Sequence, residues 1–87
     1  MSFTLYTTTR ASRELERLPV EAKKRISFRI ERLAANPFPR DTAKLKGLGD
    51  AYRLRVGKYR VLYRVVWEQR AIVVFRVAPR KKAYKDP

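Results

Sequence analysis

The feature that most constrains this fold is a period-two alternation over residues 52–65. Tyr52, Leu54 and Val56 alternate with Arg53 and Arg55. Tyr59, Val61, Tyr63 and Val65 alternate with Arg60, Leu62 and Arg64. Between the runs stands Gly57-Lys58, which fits a two-residue hairpin turn with glycine first. Successive side chains on a strand point to opposite faces, so a one-residue slip would exchange the faces wholesale. A two-residue turn therefore pairs Val56 with Tyr59, Arg55 with Arg60 and Arg53 with Leu62. The three tyrosines, three valines and Leu54 named above land on one face, which is expected to carry the rest of the core. The arginines land on the other, the outer surface. Like charges directly opposite one another across a ladder are destabilising. Arg55 beside Arg60 thus asks for an anion between them.

Charge is concentrated in the same half. Residues 51–87 hold 11 Lys/Arg against 2 Asp/Glu, whereas residues 1–50 hold 11 against 6, for a net +14. Such density on a sheet repels itself unless a polyanion neutralises it, and nucleic acid is the expected partner. The 87 residues are read as a single domain, 1–87, with an ordinary 45% hydrophobic content. There is neither cysteine nor histidine. Disulfides, a thiolate nucleophile and the usual zinc ligands are therefore excluded. No apolar run approaches the ~18 residues of a membrane span. The opening MSFTLYTTTR lacks the basic-then-apolar order of a signal peptide. A soluble cytoplasmic protein without metal or cofactor is expected.

The first half follows a different period. Phe3 and Leu5 alternate with Thr4 and Tyr6, so residues 2–7 read as a short strand. Thr8 or Thr9 can cap a helix that runs to about Leu18, with Ala11, Leu15 and Leu18 on one stripe. Pro19 ends it and suits the first turn of a second helix. From Val20 to Ala35 the apolar residues Ala22, Ile26, Ile30 and Leu33 recur at helical spacing, with Lys23, Lys24, Arg25, Arg29 and Arg32 mostly on the other side. Asn36-Pro37 closes this helical hairpin, and residues 36–50 form an irregular connection. Residues 67–70 make a turn, and residues 71–77 a last strand that is apolar except for Arg76.

In order and spacing, these elements resemble the RelE/ParE toxin superfamily. Four stretches carry the likeness: the two-helix opening ending in LERLAANPFPR, the segment AKLKGLGDAYRLRVGKYRVLYRV, the strand AIVVFRV, and the ending APRKKAYK. The ending is similar to the archaeal RelE branch. The resemblance covers nearly the whole chain. It implies an α+β fold, β-α-α-β-β-β, with a helical hairpin on a mostly antiparallel four-stranded sheet. It further implies the toxin of a type II toxin–antitoxin system that cleaves mRNA in the ribosomal A site without a metal. There a ribose 2′-OH attacks its own 3′ phosphate, leaving a 2′,3′-cyclic phosphate and a 5′-OH. Carried over by position, the catalytic set is Arg53, Arg55, Arg60, Arg80 and Tyr84. Arg40, Lys46, Lys81 and Lys82 are candidate RNA contacts. The implied partners are the ribosome, mRNA and an acidic RelB-like antitoxin.

The chain departs from its relatives in two ways. Strongly active bacterial members carry lysines at the positions of Arg53 and Arg55, and other ribonuclease branches have a histidine where Pro79 stands. An arginine with a pKa above ~12 clamps phosphate well but does not serve as a base. The general base is left open among Tyr84, water and a ribosomal group. The alternative is a ParE-type inhibitor of DNA gyrase, which needs no base. A third is a member that acts only within a DNA-binding repressor complex.

Plainer roles compete for the same residues. Alternating arginines are usually the solvated face of a half-buried sheet. Arg64 and Arg76 are assigned to carboxylate pairing or to flanking the site. Tyr52, Tyr59 and Tyr63 are expected in the core, and Tyr84 can simply anchor the tail. Glu14, Glu16, Glu21 and Glu31 stand at helical spacings from cations and read as intrahelical pairs.

Overall fold

Two residues punctuate the first third of the chain in the computed structural model, which describes residues 2–79. After a short strand, β1 (Thr4–Thr7), the extended Thr8 accepts a hydrogen bond from Ala11 N at 3.1 Å. That bond satisfies one of the orphan N–H groups at the start of α1 (Thr9–Glu16). Pro19 then opens α2 (Val20–Arg32) as its N-cap, one position earlier than the first-turn place expected for it. Its carbonyl accepts from Lys23 N at 2.9 Å. The helix stops three residues short of the expected Ala35. The chain tightens there into i→i−3 bonds from Leu33, Ala34 and Ala35, and the Ala34 carbonyl takes Phe3 N at 2.7 Å.

The remaining strands are β2 (Thr42–Lys44), β3 (Ala51–Val56), β4 (Tyr59–Val66) and β5 (Ala71–Pro79). The sheet order is β1-β5-β4-β3-β2, with β1 parallel to β5 and the other pairs antiparallel. The class is the α+β one expected, but with five strands rather than four. The added strand, β2, lies within the supposedly irregular connection. Thr42, Ala43 and Lys44 form it by pairing with Leu54, Arg53 and Tyr52, a tertiary contact that overrides weak local propensity.

The hairpin register is the one the alternation demands. Val56 faces Tyr59, Arg55 faces Arg60 and Arg53 faces Leu62. Leu54, Val56, Val61, Tyr63 and Val65 pack with Ile72, Val74 and Val77 of β5 and with Ala11, Ile26, Ile30 and Leu33 of the helices. Tyr52 and Tyr59 pack against the same core half-buried, as do Leu15 and Leu18. Tyr63 is fully buried and donates to the Pro37 carbonyl at 2.5 Å. Burial pushes its phenol up to about 12.

The opposite face is not the plain arginine surface expected. It carries a second apolar cluster: Leu62 and Ala78 are buried there, with Leu45 and Phe75 packed against them. A bulge helps to make it. Leu62 faces Arg76 while Tyr63 faces Val74, which leaves Phe75 as the extra residue on β5. The acidic side chains also do more than brace single helices. Arg10 and Glu14 are an i,i+4 pair at 3.6 Å, but Glu14 also accepts from Arg76 Nε at 2.9 Å and Val77 N at 2.7 Å. Glu16 reaches Lys23 on the next helix at 3.3 Å. Glu21 and Glu31 make no ion pair among the described residues.

Candidate functional site

The outer face of the β3–β4 hairpin gathers three of the expected site residues. β4 lies between β3 and β5, so Arg60 has Arg55 beside it on one side and Ala78 on the other. Arg53 stands two residues back along the same face, opposite Leu62. Arg55 is exposed, Arg53 half-buried, and Arg60 only 3% exposed. The Arg60 side chain has one hydrogen bond among the described residues, Nη1 to its neighbour's carbonyl, Tyr59 O, at 3.2 Å. Its Nε is buried with no partner among the described residues.

That arrangement is electrostatically unusual. A guanidinium carries five N–H donors and does not shed its proton. Burying one without a counter-charge costs several kcal/mol, an order-of-magnitude figure. Two other well-covered arginines have carboxylates, Arg29 with Asp41 at 2.8 Å and Arg76 with Glu14, whereas Arg70 shares with Arg60 a buried Nε that has no partner among the described residues. None of Arg53, Arg55 and Arg60 has an ion pair among the described residues. Among the described residues the patch is therefore a cationic site lacking an anion, with the Leu62 and Ala78 cluster as its apolar neighbour. The guanidinium fork suits phosphate, and a partly dry setting strengthens each contact. The patch itself supplies charge and donors, but no carboxylate or histidine to act as a base.

The other expected residues separate. Arg40 is exposed and precedes Asp41, whose carbonyl accepts from Arg55 N at 3.1 Å, so it stands at the turn end of β3. Lys46 is exposed at the far end, where Lys44, Leu45, Gly47 and Gly49 line an open cleft of about 430 Å³ with it. Arg64 donates to the Leu48 carbonyl at 3.1 Å and lies 5.2 Å over the Phe75 ring, while Arg76 is held by Glu14. Arg76 thus has the carboxylate partner expected of it, whereas Arg64 is held by a backbone carbonyl and a ring rather than by a carboxylate. β5 ends at Pro79, which faces Tyr59 beside the hairpin turn. Arg80, Lys81, Lys82 and Tyr84 lie outside the described residues.

The burial of Arg60 and the cluster beside it were not anticipated. Leu62 interrupts the arginines on its face, and that lone apolar residue was the available signal. Among the described residues, no group of three or more histidine, cysteine or acidic side chains could hold a metal ion. No helix among the described residues is long and apolar enough to cross a membrane.

Comparison with known proteins places this geometry in context. A family model described as the ParE toxin of the type II toxin–antitoxin system parDE matches residues 5–84. RelE1 of Methanocaldococcus jannaschii is 38% identical, with all of both chains covered. The RelE–RelB complex of Pyrococcus horikoshii contains a chain 33% identical, aligned over 92% of this chain and 97% of its own at a TM-score of 0.81. A chain of the RelBE2 toxin–antitoxin complex of Mycobacterium tuberculosis is 30% identical over 91% and 99%, also at 0.81. A variant of Escherichia coli RelE, at 22% identity and a TM-score of 0.82 over 99% of this chain and 94% of its own, shares the fold.

Proposed function

The chain belongs to the RelE/ParE family of type II toxins, and on that premise we propose that it is a ribosome-dependent endoribonuclease acting on mRNA in the A site. One observation carries the reading: Arg55 and the buried, under-bonded Arg60 face each other across the hairpin with no counter-ion among the described residues. A scissile phosphate supplies that charge. In the reaction the 2′ oxygen bonds to phosphorus, the phosphorus–O5′ bond breaks, and the 2′ proton leaves while O5′ gains one. Negative charge builds on the non-bridging oxygens at the transition state. Arg55 and Arg60 stabilise it there, and Arg53 holds the adjoining backbone. Arg80 is assigned as a second clamp and Tyr84 to the base or the 2′-OH, by their positions in the family pattern. Arg40, Lys46, Lys81 and Lys82 extend the RNA path.

A free nuclease of this kind needs restraint, and an acidic RelB-like antitoxin is the proposed partner. At net +14 the chain attracts an acidic segment strongly at low salt. The proposed setting is the cytoplasm, with ribosomes and mRNA. Primer extension on a translated message tests the reaction. Codon-phased 5′ ends that require ribosomes are expected, and they should vanish in Arg60→Met. Growth arrest with intact mRNA would refute it. A second reading, gyrase inhibition without cleavage, is favoured by the match to the ParE family model and by the absence of histidine. A supercoiling assay with purified protein separates the two.

A further inference from the structure

An apolar groove lies on the helix face of the sheet, where the start of α2 meets the tip of the β3–β4 hairpin. Its volume is about 450 Å³, enough for a bulky aliphatic side chain. Ala22 from α2 and Val56 and Tyr59 from the hairpin form part of its lining, and Glu21, Arg25 and Lys58 also border it. Arg25 sits close over the turn: its Nη1 would lie 3.2 Å from a Cβ built on Gly57, whose φ is +58°. The glycine thus keeps both the turn and the room for that guanidinium.

The charges around this groove are not balanced. Lys23 and Arg29 on the same helix have Glu16 and Asp41 as partners. Arg25 and Lys58 have no ion pair among the described residues, even though Glu21 stands four residues before Arg25. An apolar lining beside two unpaired cations is complementary to an acidic amphipathic segment. It suits nucleic acid poorly. Tyr59 is packed into the core, with the Lys58 ammonium 5.9 Å over its ring, and so offers no free platform for a base.

We propose that this groove docks an acidic protein segment, one aliphatic side chain entering it and carboxylates meeting Arg25 and Lys58. The proposal rests on the reading of an acidic partner and gives that partner a place. Val56 and Tyr59 face the helices, whereas Arg55 and Arg60 face away. A segment seated here grips the hairpin from behind and leaves the arginine patch open. The contact therefore supplies affinity rather than occlusion, and its loss separates restraint from activity.

The test uses the full chain, labelled for amide NMR. The probe is a short helical peptide of glutamates with leucine at every fourth place. Saturable shifts at Ala22, Val56, Lys58 and Tyr59 are expected. Replacing the leucines by glutamine should weaken binding by about tenfold or more, as burial of one aliphatic side chain implies. Ala22→Glu and, separately, the turn variant Lys58→Glu should each weaken the peptide while leaving cleavage on ribosomes unchanged. Shifts confined to Arg55 and Arg60, undiminished binding in both variants, or groove shifts with oligouridylate but not the peptide would each overturn the proposal. Peptide binding is read without ribosomes, so failure of the cleavage reaction and failure of the groove are distinguishable.

Discussion

Arg60 is a charge held where charge is hard to keep, and its two roles pull in opposite directions. Replacing it by methionine, apolar and of similar length, should raise the melting temperature, because a buried guanidinium with an unmet Nε disappears. The same change should lower cleavage by about 100-fold or more, as loss of a transition-state donor does. Arg55→Ala, at an exposed position facing Arg60, should also cut activity while stability holds or rises through relief of like-charge repulsion. A fall in melting temperature with cleavage intact would make both arginines structural. Tyr63 gives a pH test on the core. Its folded pKa, about 12, lies above the ordinary 10.0, so folding favours the neutral phenol. That contribution is fully present below pH 10 and is lost as pH rises toward 12. It amounts to roughly 3 kcal/mol. Chemical denaturation of Tyr63→Phe across that window should show a shallower decline than the parent. The facing of Arg55 and Arg60 was legible in the sequence because alternation and a two-residue turn specify it together. The burial of Arg60 was not, since it depends on segments distant along the chain.

Between elements, the principal polar clip is Glu14. It joins α1 to β5 beyond the stretch that β1 covers, taking both Arg76 Nε and the Val77 amide. Glu14→Ala should cost about 3 kcal/mol in urea unfolding, because it removes the carboxylate that Arg76 Nε, on a side chain only 5% exposed, and the Val77 amide share. A change below about 0.5 kcal/mol would show the clip to be dispensable. Sequence spacing suggested intrahelical partners for Glu14 and the other glutamates, since i,i+4 pairs are visible in one dimension and cross-element pairs are not. The same limit explains β2. Thr42, Ala43 and Lys44 have no strand pattern of their own and acquire one only beside β3. The helices were legible because Ala11, Leu15 and Leu18, and then Ala22, Ile26, Ile30 and Leu33, each keep a helical period. The bulge at Phe75 was not, since β5 reads as apolar on both faces and fixes no parity.

For the whole molecule, net charge governs both stability and association. At +14 the folded chain repels itself, and screening should relieve it. Moving from low to moderate salt should raise the melting temperature by ~4 °C, equivalent to about 1 kcal/mol for a domain of this size. A lowered melting temperature would mean that favourable ion pairs outweigh the repulsion. The same screening should slow capture of the proposed acidic partner. Two surfaces divide the proposed work: an arginine patch on the outer face of the hairpin for RNA, and a groove behind it for the partner. The central claim is that the patch cleaves mRNA. The most direct measurement maps 5′ ends on a message translated by purified ribosomes, with the parent chain and Arg60→Met side by side. Codon-phased, ribosome-dependent cuts are expected with the parent and none with the variant. Intact message with both chains, together with loss of gyrase supercoiling in the presence of the parent, would contradict it.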